Sequence, residues 1–188
     1  MSDEAPAEHF EHAEHAERAA HDGSPFLLTV SVTIAILAVV AATVGSLENL
    51  ETEKTLSEQN AASLLQNKAS DAWAFFQAKS LKKNAFEIAS QLGGASSTHF
   101  SQQAARYEGE SRDIEKQASE LQHEVEARLH ESQRHEHRHL ILTTAVTLVH
   151  VAIAITTIAI IMKGRKWPWY VGIGLAAAGA MLAAYAYV

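Results

Sequence analysis

FSQQAARYEGESRDIEKQASELQHEV occupies residues 100–125, and the spacing of its apolar and small positions decides the fold. Phe100, Ala104, Tyr107, Ser111, Ile114, Ala118, Leu121 and Val125 follow one another in alternating steps of four and three. On a helix of about 3.6 residues per turn that pattern returns every member to one stripe, the seam of a coiled coil. Glu108, Glu110, Arg112, Asp113, Glu115, Lys116, Glu120 and Glu124 fall between them, as a solvated outer face requires. After Val125 the register slips by one residue to Leu129 and weakens through Ser132 and His135.

Upstream, Leu65, Ala69, Ala72 and Phe76 form one stripe, and Leu81, Ala85, Ile88 and Leu92 form another, displaced by one position. The partner expected for both is the downstream run, folded back at Gly93-Gly94. Glycine ends a helix because it takes the left-handed conformation without strain. Ser96, Ser97 and Thr98 offer N-cap oxygens to the next helix. Residues 48–139 therefore read as an antiparallel helical hairpin with its turn at 93–97, each arm about 60 Å long at about 1.5 Å per residue. A seam of mostly small residues buries little, so the hairpin is expected to pack against copies of itself. Phe100, Tyr107, Ile114, Leu121 and Val125 are the contact residues expected on the second arm, with Trp73, Phe76 and Lys79 on the first. Trp73 and Phe76 also suit a plain core, whereas Lys79, Lys82 and Lys83 beside two aromatics are unusual in an acidic chain.

Three uncharged runs lie on either side of the hairpin. Residues 25–47 begin at Pro25, which is favoured in the first helical turn, and are long enough to cross a hydrocarbon layer of about 30 Å. An acidic flank and a long apolar core set this run apart from a cleavable signal peptide. Residues 140–162 and 169–188 form two further spans, joined by the basic turn 163–168. Trp167, Trp169 and Tyr170 at one end of the last span, and Tyr185 and Tyr187 at the other, suit the two headgroup levels. Within it Gly172, Ala176, Ala180 and Ala184 recur every four residues, a spacing that lets helix backbones approach and that an Ala-rich, lipid-facing helix also displays. From residue 98 to 162 the only helix breaker is Gly109, so the second arm is expected to continue into the second span as one rod. The expected fold is all-α: three transmembrane helices with a long extramembrane hairpin. Basic residues in a short loop resist translocation, which places the amino terminus in the cytoplasm and the hairpin in the periplasm of a bacterial inner membrane. Arg128, Arg134 and Arg138 argue the other way, with less weight because they belong to a long loop.

The net charge of −7 is unevenly spread: residues 1–25 carry seven acids and one base. An acidic chain is a poor partner for nucleic acid, which needs a basic face against its phosphates. No cysteine occurs. In the tail, 1–24, a Glu-His repeat brings His9, His12 and His15 within helical reach of carboxylates. It reads as a solvated acidic tail or as a weak site for a divalent transition metal, the one cofactor class the composition suggests. Glu131, His135 and His139, four apart on one helical face, pose the same choice between a metal site and a headgroup-level belt. His150 lies near the middle of the second span, where an ionisable group marks a relay or a neutral hydrogen bond within a bundle. No Ser-His-Asp order and no glycine-rich phosphate loop occurs, so no enzyme is expected.

The stretch from Ala69 to Lys82, with Trp73-Ala74-Phe75-Phe76-Gln77-Ala78-Lys79-Ser80 at its centre, resembles the signature of DUF4337, a bacterial membrane-protein family without an assigned reaction. The basic turn followed by Trp167-Pro168-Trp169-Tyr170 and the His- and Glu-rich start resemble it too. That family often has tyrosine where this chain has Phe76. The resemblance implies an inner-membrane protein and hands over no catalytic residue. Three functions follow as expectations. The first is a scaffold that self-associates or docks another membrane complex in the lipid bilayer. The others are a metal-binding sensor or transport accessory using the His clusters, and a channel or transporter subunit lined by the second span.

Overall fold

The computed structural model describes residues 25–162 and 165–188. It contains three helices: α1, Pro25–Gln91; α2, Ser97–Ile161; and α3, Trp167–Tyr185. Among the described residues there is no strand. All three helices include a stretch long and apolar enough to cross a membrane. His9, His12 and His15 lie outside the described residues.

The chain divides into two compact units, and α1 and α2 contribute to both. The first combines the described residues up to Glu53 with His135–Val188. Its interior is apolar: Val30, Ile34, Leu37 and Ala41 of α1 meet Val149, Ala152, Ile153 and Ala159 of α2, and Ala176 of α3. A second cluster joins Val44, Leu142, Ala145, Val146, Ala183 and Ala186. Threonine hydroxyls along these stretches, including those of Thr33, Thr147 and Thr156, donate to the carbonyl four residues earlier, so these hydroxyls are satisfied within their own helices. Trp169 Nε1 donates to Thr33 Oγ1 at 3.1 Å, and its ring meets Phe26 edge-on. This ring is thus tucked against α1, whereas Trp167 and Tyr170 are exposed.

The small residues of α3 pack in a register different from the one expected. The buried positions are Gly172, Ala176, Gly179 and Ala183, while Ala180 and Ala184 are exposed. The reason is geometric. A constant step of four overshoots the 3.6-residue turn by about 40° each time, so a four-residue row leaves the contact face after two steps. Steps of four, three and four keep it there. At Gly179 a Cβ would sit 2.9 Å from both the Ala145 carbonyl and Val149 Cγ2, so glycine is what permits this approach to α2.

The second unit is Lys54–Arg134. Its contacts join residues whose numbers rise along α1 as they fall along α2: Thr55 with Ser132, Glu58 with Arg128, Lys79 with Glu110, and Phe86 with Tyr107. Ser111, Ala118 and Val125 are buried along α2, and Ala62 and Ala69 along α1. Between the helices Gly93 and Gly94 have φ of 78° and 109°, the left-handed region that suits glycine. Ser97 Oγ does not cap α2. It reaches back to donate to the Ser90 carbonyl at 2.8 Å, satisfying one of the unpaired carbonyls at the end of α1.

Leu129 is 45% exposed, while Ser132 is buried and donates to the Thr55 carbonyl. The slip expected at Leu129 is therefore absent, because Ser132 keeps the seven-residue spacing from Ser111, Ala118 and Val125 and is held there by a hydrogen bond.

Candidate functional site

Where the apolar part of the first unit ends, polar residues occupy the facing sides of α1 and α2. Spacings of three and four put Glu48, Glu51 and Thr52 on one face of α1, and His135, His139 and Thr143 on one face of α2. Glu51 is 1% exposed. Its Oε2 lies 2.6 Å from His135 Nδ1, and Tyr187, beyond the end of α3, donates its hydroxyl to Oε1 at 3.3 Å. A carboxylate this deeply buried is tolerable only because such donors replace water.

Glu48 holds the next turn. Thr143 Oγ1 is 2.6 Å from Glu48 Oε1, and His139 Nδ1 is 3.8 Å from the same oxygen. Thr52 donates its hydroxyl to the Glu48 carbonyl, which leaves its oxygen to accept from His139 Nδ1 at 3.0 Å. Arg138 places its guanidinium 5.4 Å from the Tyr187 ring centroid, a cation–π distance. The cluster thus ties three segments together by charge-assisted bonds with fixed directions, which select one register between them.

Sequence reasoning placed Glu131, His135 and His139 on one face, and the two histidines reach across to α1. His135 turns to Glu51, His139 to Thr52 and Glu48, and Glu131 accepts from Arg134 at 3.0 Å. Among the described residues no group of three or more His, Asp or Glu is arranged to hold a metal ion. Glu48 and Glu51 were missed, and Tyr187 was read only as a headgroup-level aromatic. A signal for the two acids existed, since carrying the first-arm seam backward from Leu65 and Ala62 by threes and fours leads through Glu58 and Thr55 to Glu51 and Glu48. His150 lies on an exposed face of α2, as do Thr147 and Ala154, while its neighbours Val149, Ala152 and Ile153 fill the core.

In the second unit the lysines beside the aromatics find their explanation. Lys79 pairs with Glu110, which also accepts from Arg106 at 2.8 Å. The hydrogen bond from Lys79, then that from Arg106, holds the Glu110 carboxyl below its ordinary value. Phe86 stacks on Tyr107 with centroids 5.5 Å apart, and Lys79 and Lys82 stand 5.2 and 5.8 Å from the Tyr107 centroid. Phe100 completes the aromatic group at 6.1 Å from Phe86. Trp73 meets Phe76 edge-on and borders a groove of 460 Å³ whose other walls include Arg112, Glu115 and Lys116. Ile114 and Leu121 are half-buried along the same seam. The residues expected to meet a partner therefore lie largely on the face that α1 and α2 turn toward each other.

Among the described residues the other stripe of α1 has no such partner. Leu81, Ile88 and Leu92 are 70%, 61% and 83% exposed, and Ala85 is exposed as well. The expectation that this stripe packs on α2 is overturned. From Phe76 the inward face runs on through Lys79, Lys83, Phe86 and Ser90, all half-buried. Burial of Phe86 between Tyr107 and Phe100 fixes that choice, because stacked aromatics bury more surface than Leu81 and Ile88 offer in the alternative register.

Residues 26–188 match the family model described as Domain of unknown function (DUF4337). The match spans most of the chain, and the chain belongs to this family. No curated protein and no solved structure matches it.

Proposed function

We propose that this DUF4337 chain is a membrane-anchored scaffold without chemistry of its own, built to associate with copies of itself or to dock another membrane complex. In this reading the three apolar helices are the anchor in a bacterial inner membrane, and residues 48–139 form an antiparallel coiled-coil hairpin on the periplasmic side. The observation that carries the proposal is the exposed row Leu81, Ile88 and Leu92. Large apolar side chains at heptad spacing on an already paired helix mark a surface meant for another helix. The Glu51–His135–Tyr187 contacts support the same reading, since they brace the anchor.

Native mass spectrometry of a gentle detergent extract tests it. An oligomer, or a stoichiometric complex with another membrane protein, is expected. A strictly monomeric protein over a wide concentration range removes the proposal. Sidedness is tested by placing a cysteine at Ser96 in this cysteine-free chain. Labelling by an impermeant thiol reagent in intact spheroplasts is expected, and protection there reverses the orientation.

A further inference from the structure

We propose that the outward stripe of α1 formed by Ala74, Ala78, Leu81, Ala85, Ile88 and Leu92 docks a second copy of this chain, parallel and in register. This deepens the scaffold reading and rests on it. The six positions are all exposed and advance in steps of four and three, the same repeat as the seam that faces α2.

Charge on the flanks selects the occupant and its direction. Gln77, Asn84 and Gln91 border the stripe on one side, and Phe75, Lys82 and Ala89 on the other. Neither flank holds an acid. In a parallel, in-register pair each flank faces the opposite flank of the other copy, so Lys82 reaches Gln77 across the seam. In an antiparallel pair centred on the stripe, like flanks face each other and the two Lys82 side chains meet, a repulsive contact. Copies inserted in one bilayer with one topology also carry α1 in the same direction, so anchoring and charge agree. A two-fold axis then brings each stripe residue against its own counterpart.

The size of the face agrees with an anchored partner. Three large apolar side chains and three alanines per copy fall short of the about 1,200 Å² of a stand-alone interface. Such a seam closes when a shared membrane raises the effective concentration of one stripe near the other.

The sequence has no cysteine, which makes disulfide trapping in native membranes direct. Leu81→Cys and Ile88→Cys are each expected to give a disulfide-linked dimer on oxidation, while Glu87→Cys, exposed but off the stripe, stays monomeric. Co-expressed Gln77→Cys and Lys82→Cys chains are expected to link to each other more than either links to itself. Absence of stripe dimers, equal linking through Glu87→Cys, or dominant self-linking of Lys82→Cys overturns the proposal. So does a stripe adduct heavier than a dimer, which identifies a different protein as the occupant. The double variant L81E/I88E, with helix content checked by circular dichroism, is expected to lower the dimer fraction at least tenfold. A wild-type dimer that persists in this variant overturns the stripe and leaves the scaffold reading standing; a wild type that is monomeric and holds no partner complex removes both.

Discussion

Replacement of Gly172 by alanine tests the packing of α3 most directly. A methyl group there would overlap Thr156 Oγ1 and lie 2.9 Å from the Ala152 carbonyl oxygen and 3.3 Å from Thr156 Cβ. Thr156 cannot simply turn away, because its hydroxyl is buried and donates to that same Ala152 carbonyl at 2.7 Å. Either the hydroxyl loses its bond or the helices separate along the seam through Ala176 and Gly179. Overpacking of this kind costs about 1–3 kcal/mol. Reversible unfolding of the detergent-solubilised protein should therefore place Gly172→Ala below wild type by about that amount. Adding Thr156→Ala removes the overlapping oxygen and should restore part of the loss, the Ala152 carbonyl remaining close. Ala180→Ile and Ala184→Ile, both on the exposed side, should change stability by less than about 0.5 kcal/mol. Full stability of Gly172→Ala, no recovery in the double variant, or a large loss at Ala180 would each refute the four-three-four register.

Four further outcomes follow from the polar contacts. Glu51→Ala removes the acceptor shared by His135 and Tyr187 and should cost about 2–3 kcal/mol in the same unfolding assay, whereas the apolar pair E51L/H135L should recover much of it. Glu110 has its carboxyl lowered by Lys79 and Arg106, so its contribution is present above its ordinary value of 4.5 and is lost as pH falls through the lowered value. An unfolding series into that acidic range should be flatter for Glu110→Gln than for wild type. Ser31 Oγ is buried with no hydrogen-bond partner among the described residues, so Ser31→Ala should be neutral or stabilising, by up to about 1 kcal/mol. Zinc or nickel titrated calorimetrically into the protein should give no saturable heat from His135 and His139, each already engaged by groups on α1; tight binding lost in H135A/H139A would contradict that geometry.

How much of this could be read from residues alone depends on how local the deciding contact is. The helical class and the three apolar helices follow from run length and periodicity, which are properties of neighbours in the chain. The burial of Ser111, Ala118 and Val125 follows from the same repeat. On α1 the more apolar stripe, Leu81, Ala85, Ile88 and Leu92, turns outward, because Tyr107 and Phe100, on another helix, draw Phe86 inward together with Lys79 and Lys83, and periodicity along α1 alone carries no sign of that. On α3 the row Gly172–Ala176–Ala180–Ala184 and the true seam share their first two members and part only when the 3.6-residue turn is followed. Glu51 is the least legible residue, since one of its partners lies 136 positions away and no local pattern announces a carboxylate that will be buried.

The bend at Gly93 and Gly94 has a consequence for handling the protein. A Cβ added at either residue would meet no atom of the described residues within 4 Å, so what keeps side chains out of these positions is handedness. A D-amino acid should sit there as comfortably as glycine, whereas each L-residue meets a backbone penalty of about 1–2 kcal/mol. The chain reverses at a point where chirality is the constraint and room is plentiful, which makes this reversal a natural place to graft a reporter or an epitope.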